Sequence, residues 1–133
     1  MEEQDGQVSL GRDGQVLVRL LATSDRQTVK SAYGLYHLAL LLPSRQALAD
    51  ILKHLSENKV PMVGGADHGY SEAIYLEDPE GNGIELYRDK PQADWDIRED
   101  GRIIGVTEAL AAQEIYELGQ EVQPFSIAAG TRM

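Results

Sequence analysis

The chain has 133 residues, enough for one domain with a modest core, and its lack of cysteine excludes disulfides, cysteine-ligated zinc and thiol nucleophiles. Its 22 acidic residues outnumber 12 basic ones for a formal charge of −10, so the surface repels phosphate backbones and nucleic acid is not an expected partner. The longest apolar run, Leu38 to Leu42, is too short to cross a bilayer, and no signal peptide is recognisable, so a soluble cytoplasmic protein without a membrane partner is expected.

A β-hairpin is predicted near the start of the chain. Two glycines and an aspartate between Gly11 and Gly14 provide turn chemistry between the apolar runs Val8–Leu10 and Val16–Leu21. The preceding polar residues 1–7 are expected to be frayed. The polar stretch from Thr23 to Ala32 predicts a loop.

A buried strand and an amphipathic helix follow. The run from Leu35 to Leu42 is almost continuously apolar, as expected for a strand that is covered on both faces. Ser44 is the predicted N-cap of the helix, and Asn58 closes it. The apolar side chains of this segment recur at helical spacing and form one stripe, which consists of Ala47, Leu48, Ile51, Leu52 and Leu55.

Three more strands are predicted after the helix. Val60–Val63 reads as a short extended segment, and the glycine-rich residues Gly64–Gly69 read as a loop. Ala73–Leu76 and Ile84–Tyr87 read as paired strands around the dense turn signal Asp78–Gly83. The predicted order of strand, helix, short strand, strand, turn and strand indicates an α+β fold.

The composition changes after Asp89. The region 91–133 reads as an acidic linker with one short helix from Thr107 to Leu118, and its last residues, from Gln120 onwards, read as linker alone.

Three polar side chains are expected on one face of the sheet. Side chains alternate along a strand, so His37, Tyr75 and Glu85 fall together if the helix covers the opposite, apolar face. Histidine and carboxylate on neighbouring strands are typical ligands of a non-haem iron or zinc site. The common alternatives are a structural histidine in an apolar strand and a glutamate on a solvated face. Two further histidines are expected at the surface. His68 lies in the glycine-rich loop, and His54 lies on the polar side of the helix.

Two segments, Gly34–Pro43 and Ala66–Tyr87, resemble the glyoxalase/bleomycin-resistance/extradiol dioxygenase superfamily, whose vicinal oxygen chelate fold pairs βαβββ units into a cupped sheet. The second segment also resembles the extradiol ring-cleaving signature and departs from it at Ala66. In this sequence five residues separate His68 from the pair Ile74 and Tyr75, and two more separate that pair from Asp78 and Pro79. Gly81 follows after one residue, and Glu85 after a further three. The chain looks most like the first module of a two-module catechol 2,3-dioxygenase.

This resemblance implies roles for four residues. His37 and Glu85 would be metal ligands, for Fe(II) in the first place, with Zn, Ni or Mn as alternatives and no metal as a further alternative. His68 would accept and return a proton of a catechol-like aromatic substrate, and Tyr75 would hydrogen-bond an oxygen atom. The implied function is ring cleavage by an extradiol dioxygenase. The alternatives are a glyoxalase-like metal-dependent lyase or isomerase, and a metal-free binding protein of the bleomycin-resistance kind.

The resemblance also predicts the domain organisation. Residues 1–90 would form one glyoxalase-like module, with an incomplete first βαβββ unit and a second unit at about 34–88. The first unit lacks the strand and helix that would carry the other metal-ligating histidine. A half-built cup exposes apolar sheet, so a homodimer is expected, with or without exchanged elements.

Overall fold

The computed structural model describes residues 2–4 (backbone only), 6–24 and 35–133, which fall into two compact units divided after Leu35. The loop predicted from Thr23 to Ala32 lies mostly outside these residues, as does Gly34. None of the helices in the described ranges combines the length and apolar character needed to cross a bilayer.

The first unit is a three-stranded antiparallel sheet in the order β1-β2-β3. Strands β2 (Gln7–Arg12) and β3 (Gln15–Leu21) confirm the predicted hairpin, and its turn uses left-handed backbone at Asp13 and Gly14, with φ of 52° and 79°. The expectation of a frayed start was wrong for β1 (Glu2–Gln4). This strand pairs with β2 through backbone hydrogen bonds, which a polar composition does not reveal.

The second unit contains a five-stranded sheet and two α-helices. The bounds are β4 His37–Leu41, α1 Arg45–Glu57, β5 Gly64–Asp67, β6 Ser71–Glu77, β7 Gly83–Asp89, β8 Glu108–Ala109 and α2 Ala112–Leu118. The sheet order is β4-β7-β6-β5-β8, with β4 parallel to β7 and the other pairs antiparallel. The predicted α+β fold is confirmed, although the short strand after the helix lies at β5 and not over 60–63.

Helix α1 covers one face of this sheet. The Ser44 side chain accepts a hydrogen bond of 3.1 Å from the Ala47 amide, and Asn58 is the C-cap, as predicted. The apolar stripe of α1 meets the sheet at a core of fully buried side chains: Leu48, Ile74 and Leu86 are at most 4% exposed. The opposite face of the sheet is therefore the one left for a site.

Strand β5 lies where a loop was predicted, and the strand predicted over 60–63 is not formed. Gly65 explains the difference. A Cβ at Gly65 would lie 2.7 Å from Cδ2 of Leu110, so the missing side chain allows Leu110 to pack directly on the strand. Glycine here serves close packing rather than a turn.

The second helix is shorter than predicted, because its expected first turn is a strand. Glu108 and Ala109 form β8 and pair with Asp67 and Ala66 of β5, so α2 begins at Ala112 instead of after Thr107. Helix α2 then packs on α1, and its Ile115 side chain is completely buried.

The end of the chain packs against α1 and β4 within the second unit. The Phe125 ring stacks on the half-buried His54 ring, with centroids 3.9 Å apart and planes 10° apart. Arg132 pairs with Leu41 of β4 through two backbone hydrogen bonds of 2.7 and 3.1 Å. The region from residue 91, predicted as linker, thus belongs to the compact unit that begins at Tyr36.

A buried ionic cluster joins the sheet to both helices. Glu72 and Arg88 are cross-strand partners on the α1 side of the sheet and are 3% and 8% exposed. The Glu72 carboxylate accepts from Nε of Arg88 at 2.7 Å, from its Nη2, and from Nε of Arg45 at 3.1 Å. Arg45 of α1 also donates to Glu114 of α2 at 2.7 Å. The cluster connects β6, β7, α1 and α2 through paired charges.

Candidate functional site

His37, Tyr75 and Glu85 lie on the same face of the sheet, away from α1. Glu85 of β7 is the direct cross-strand partner of Tyr75 on β6 and of Ala39 on β4, two residues beyond His37. Because side chains alternate along strands, this register brings the three polar groups together while Ile74 enters the core.

The first contact of the site joins His37 to Glu85. Nε2 of His37 is 2.9 Å from Oε2 of Glu85, and the two side chains are 31% and 15% exposed. A carboxylate oxygen only accepts, so this contact requires a proton on Nε2 of His37. The pair is reachable from solvent on the histidine side and more enclosed on the glutamate side.

Tyr75 continues the chain of contacts. Its hydroxyl donates to Oε1 of Glu85 at 3.1 Å. Burial raises the pKa of Tyr75 to about 12, with further contributions from the charge and the hydrogen bond of Glu85. Tyr75 therefore stays protonated at neutral pH and is available as a proton donor.

His68 lies at the other end of the chain of contacts. Its Nε2 is 2.8 Å from the Tyr75 hydroxyl oxygen, and its Nδ1 is 3.0 Å from the backbone carbonyl oxygen of Val106. The His68 side chain is half-buried and lies in the connection between β5 and β6. The structure thus joins all four residues singled out from the sequence in one row of polar contacts, ordered His37, Glu85, Tyr75 and His68.

The number of protons in this row depends on the state of His68. The Val106 carbonyl can only accept, so Nδ1 of His68 carries a proton. Tyr75 has one hydroxyl proton and can donate it to Glu85 or to a neutral His68, but not to both. A doubly protonated His68 would satisfy every contact, with Nε2–H donating to Tyr75 and Tyr75 donating to Glu85. The row can therefore hold one extra proton and shift it along Tyr75.

The chemistry of His37 and Glu85 fits two ligands of a metal ion. An imidazole nitrogen and a carboxylate oxygen converge, and both donor types suit ferrous iron or zinc. The oxygen of Glu85 that faces away from His37 is held by Tyr75, as the outer contacts of ligating carboxylates usually are. Across residues 2–4, 6–24 and 35–133, no group of three or more histidine, aspartate or glutamate side chains converges on a metal position.

An open pocket of about 320 Å³ adjoins the pair. His37 and Tyr75 form part of its wall, together with the exposed side chains of Tyr36 and Val63. The Tyr36 ring meets the His37 ring edge-on, with centroids 4.9 Å apart. An aromatic and aliphatic wall beside two polar groups suits a small, flat, partly polar molecule.

Two contributions to the site and its support were missed from the sequence. The first is the backbone carbonyl of Val106, which a residue of any type at that position would supply equally. The second is the buried pair of Glu72 and Arg88. Strand alternation places Glu72 with Ile74 and Leu76 on the apolar face, and this charge among apolar neighbours was the available signal.

Comparisons with known proteins identify a matching family and a relative. The family model described as Glyoxalase/Bleomycin resistance protein/Dioxygenase superfamily matches residues 1–86. A protein of Bacillus subtilis (strain 168) named catechol-2,3-dioxygenase is 37% identical over 120 residues, which cover 88% of this chain and 42% of that protein. The chain therefore spans less than half the length of this relative. No solved structure matches the chain significantly.

Proposed function

Because the chain belongs to the glyoxalase/bleomycin resistance protein/dioxygenase superfamily and has its α+β vicinal oxygen chelate fold, we propose that it is an iron(II)-dependent extradiol dioxygenase-type protein that acts on a catechol-like aromatic. The likeness to the catechol-2,3-dioxygenase supports the substrate class. The observation that carries the proposal is the unbroken row of contacts from His37 through Glu85 and Tyr75 to His68.

In this proposal His37 and Glu85 hold the metal. Ferrous iron, when bound, supplies the coordination positions at which a catecholate and dioxygen react. A third protein ligand comes from outside the described residues or from a second copy of the chain. Tyr75 fixes the orientation of the Glu85 carboxylate through its hydrogen bond of 3.1 Å.

Tyr75 and His68 handle protons in this proposal. A catechol loses a hydroxyl proton when it binds as a catecholate, and a proton is returned when the ring-opened product forms. Nε2 of His68 receives a proton through the Tyr75 hydroxyl, 2.8 Å away, and returns it along the same contact. The high pKa of Tyr75, about 12, keeps its hydroxyl protonated between transfers.

The test is ring cleavage by iron-loaded protein, followed by the absorbance of the ring-opened product. We expect turnover of catechol by the parent chain and a roughly 10²–10⁴-fold lower kcat for His68→Gln and Tyr75→Phe, the usual loss when a general acid–base group is removed. His54→Gln is the matched control, because His54 lies on α1, contacts Phe125 and Asn58, and contacts none of the site residues. Full activity of His68→Gln, or no product from protein that holds iron, would contradict the proposal.

A second candidate function is binding of a small molecule without metal. One observation favours it: His37 and Glu85 already satisfy each other at 2.9 Å, and no third ligand joins them in the described part of the chain. Calorimetry with catechol in the presence of a strong chelator separates the two functions. Tight binding under these conditions, without iron uptake, would favour the metal-free function.

We also propose that a second copy completes the cup. The apolar side chains at the pocket mouth are largely open, with Tyr36 88% and Val63 68% exposed. Sedimentation at micromolar concentration tests this proposal: a dimer supports it, and a monomer would contradict it.

A further inference from the structure

Val106 holds His68 by two separate contacts. The Val106 amide donates to the His68 backbone carbonyl at 3.1 Å, and the Val106 carbonyl oxygen lies 3.0 Å from Nδ1 of the His68 ring. One residue therefore fixes both the backbone and the ring of His68. We call residues 104–106, which carry these contacts, the clamp segment.

The clamp segment is itself anchored from behind. The Ile104 amide donates to the Asp96 carbonyl at 2.9 Å, and Ile97 and Ile103 form an isolated antiparallel bridge. Trp95, just before this turn, donates from Nε1 to the carbonyl of Lys90, the residue after β7, at 2.9 Å. Hydrogen bonds thus connect the segment to the part of the chain that leaves β7.

Two glycines near this contact serve different needs. Gly69 has a φ of +81°, which favours glycine, whereas a Cβ there would only touch Cγ2 of Val106, at 3.4 Å. A Cβ on Gly105 would lie 2.9 Å from Cε1 of the Tyr70 ring, a distance that requires something to move. Tyr70 is in turn packed edge-on against Trp95, with centroids 6.3 Å apart.

The contact with Val106 decides which nitrogen of His68 is basic. A neutral imidazole has one ring proton, and the nitrogen without it carries the lone pair. The carbonyl acceptor keeps that proton on Nδ1, so in the neutral ring the lone pair lies on Nε2 and faces the Tyr75 hydroxyl, whose one proton then goes to His68 rather than to Glu85. The other two histidines have the opposite arrangement, since Nε2 of His37 faces Glu85 and Nδ1 of His54 faces the Asn58 amide at 3.3 Å.

We propose that Val106 is a positioning residue: its backbone carbonyl locks His68 in the Nδ1–H tautomer, so that Nε2 is the proton acceptor presented to Tyr75. An unrestrained imidazole in water favours the Nε2–H form, so the lock reverses the intrinsic preference. The catalytic use of this lock rests on the proposed dioxygenase function. The tautomer itself does not, and it can be measured in protein that has no activity.

The direct test is nitrogen-15 NMR of the three histidine rings in the full chain, at a pH where the rings are neutral. We expect His68 to show a protonated Nδ1 and an unprotonated Nε2, and His37 and His54 to show the reverse. The two oppositely arranged histidines are internal references in the same spectrum. A His68 ring with its proton on Nε2, or a mixture as in free histidine, would overturn the proposal.

A pair of variants tests whether the clamp segment sets the tautomer. Gly105→Val places a branched side chain against the Tyr70 ring and should displace the Val106 carbonyl, giving His68 a mixture of tautomers. Gly105→Val combined with Tyr70→Ala removes the clash and should restore the Nδ1–H form. An unchanged His54 spectrum reports that the fold is intact, and a His68 that keeps Nδ1–H in Gly105→Val would contradict the role of the clamp.

Activity gives a second, separable readout. If the proposed function holds, Gly105→Val lowers kcat with little change in KM, because the misdirected group acts on proton transfer rather than on binding, and Tyr70→Ala restores kcat in the double variant. Absence of catechol cleavage in the parent chain would contradict the dioxygenase function and leave the NMR result to decide the tautomer.

Discussion

Oε2 of Glu85 lies 2.9 Å from Nε2 of His37, while Oε1 of the same carboxylate accepts from Tyr75 at 3.1 Å. One carboxylate thus connects the two parts of the proposed site, the metal-ligating pair and the proton-handling pair. Metal binding at this pair requires a lone pair on Nε2 of His37, so the ring proton must move to Nδ1. The contact with Tyr75 uses the other oxygen and can persist in both states.

The buried cluster around Glu72 should be a main source of stability in the second unit. Glu72→Gln removes the carboxylate that neutralises Arg88, which is only 8% exposed, so we expect a loss of about 3 kcal/mol in the free energy of unfolding. Urea unfolding followed by fluorescence of Trp95, the single tryptophan, measures this loss.

The matched control is Asp96→Asn in the exposed pair of Asp96 and Arg98, whose side chains are 54% and 56% exposed. It should cost less than about 1 kcal/mol, because water screens such pairs. Equal losses in Glu72→Gln and Asp96→Asn would show that the cluster contributes no more than a surface pair. The apolar replacement of both Glu72 and Arg88 should recover much of the lost stability.

The contact between α1 and α2 should depend on Gly119. A Cβ at this position would lie 2.5 Å from the Ala49 backbone oxygen and 2.8 Å from Cβ of Lys53, so Gly119→Ala must separate the helices. We expect a destabilisation of about 1–3 kcal/mol, typical of overpacking. Gly64→Ala is the control, since its Cβ meets nothing within 4 Å, and should change the free energy of unfolding little. A neutral Gly119→Ala would contradict this packing.

Tyr75 should make the fold less stable in alkaline solution. An exposed tyrosine ionises near its ordinary pKa of about 10, whereas burial raises that of folded Tyr75 to about 12. Between these values the unfolded chain loses the proton first, so stability falls as the pH rises from about 10 to about 12 and levels off above. Tyr75→Phe should show a shallower fall in urea unfolding over this range. An equal fall in both proteins would argue against the raised pKa.

The parts of the fold that follow from hydrophobic periodicity were predictable. The hairpin of the first unit, the capped helix α1 and the pairing of β6 with β7 all rest on alternation or helical spacing. β5 was missed because glycines that serve packing, such as Gly65 beside Leu110, look identical in sequence to glycines that make turns. The helix expected from Thr107 lost its first turns to pairing with β5, a tertiary contact that outweighs local propensity.

The site residues also divide into those that could be predicted from the sequence and those that could not. Strand alternation was enough to group His37, Tyr75 and Glu85. The position of His68 beside Tyr75 depends on the path of the glycine-containing connection between β5 and β6. The alternation of side chains along strands does not predict that path. The Val106 carbonyl could not be predicted, because a backbone acceptor leaves no trace in the residue type, and only the neighbouring Gly105 indicates that the chain passes close to another group.

The most direct test of the site is metal content after anaerobic loading with iron(II), measured side by side on the parent chain, Glu85→Ala and Glu80→Ala. Glu80 is the control because it is an exposed carboxylate in the turn between β6 and β7, outside the wall of the pocket. We predict stoichiometric iron in the parent chain and in Glu80→Ala, and its loss in Glu85→Ala. Equal iron in all three proteins, or none in any of them, would contradict the assignment of His37 and Glu85 as metal ligands.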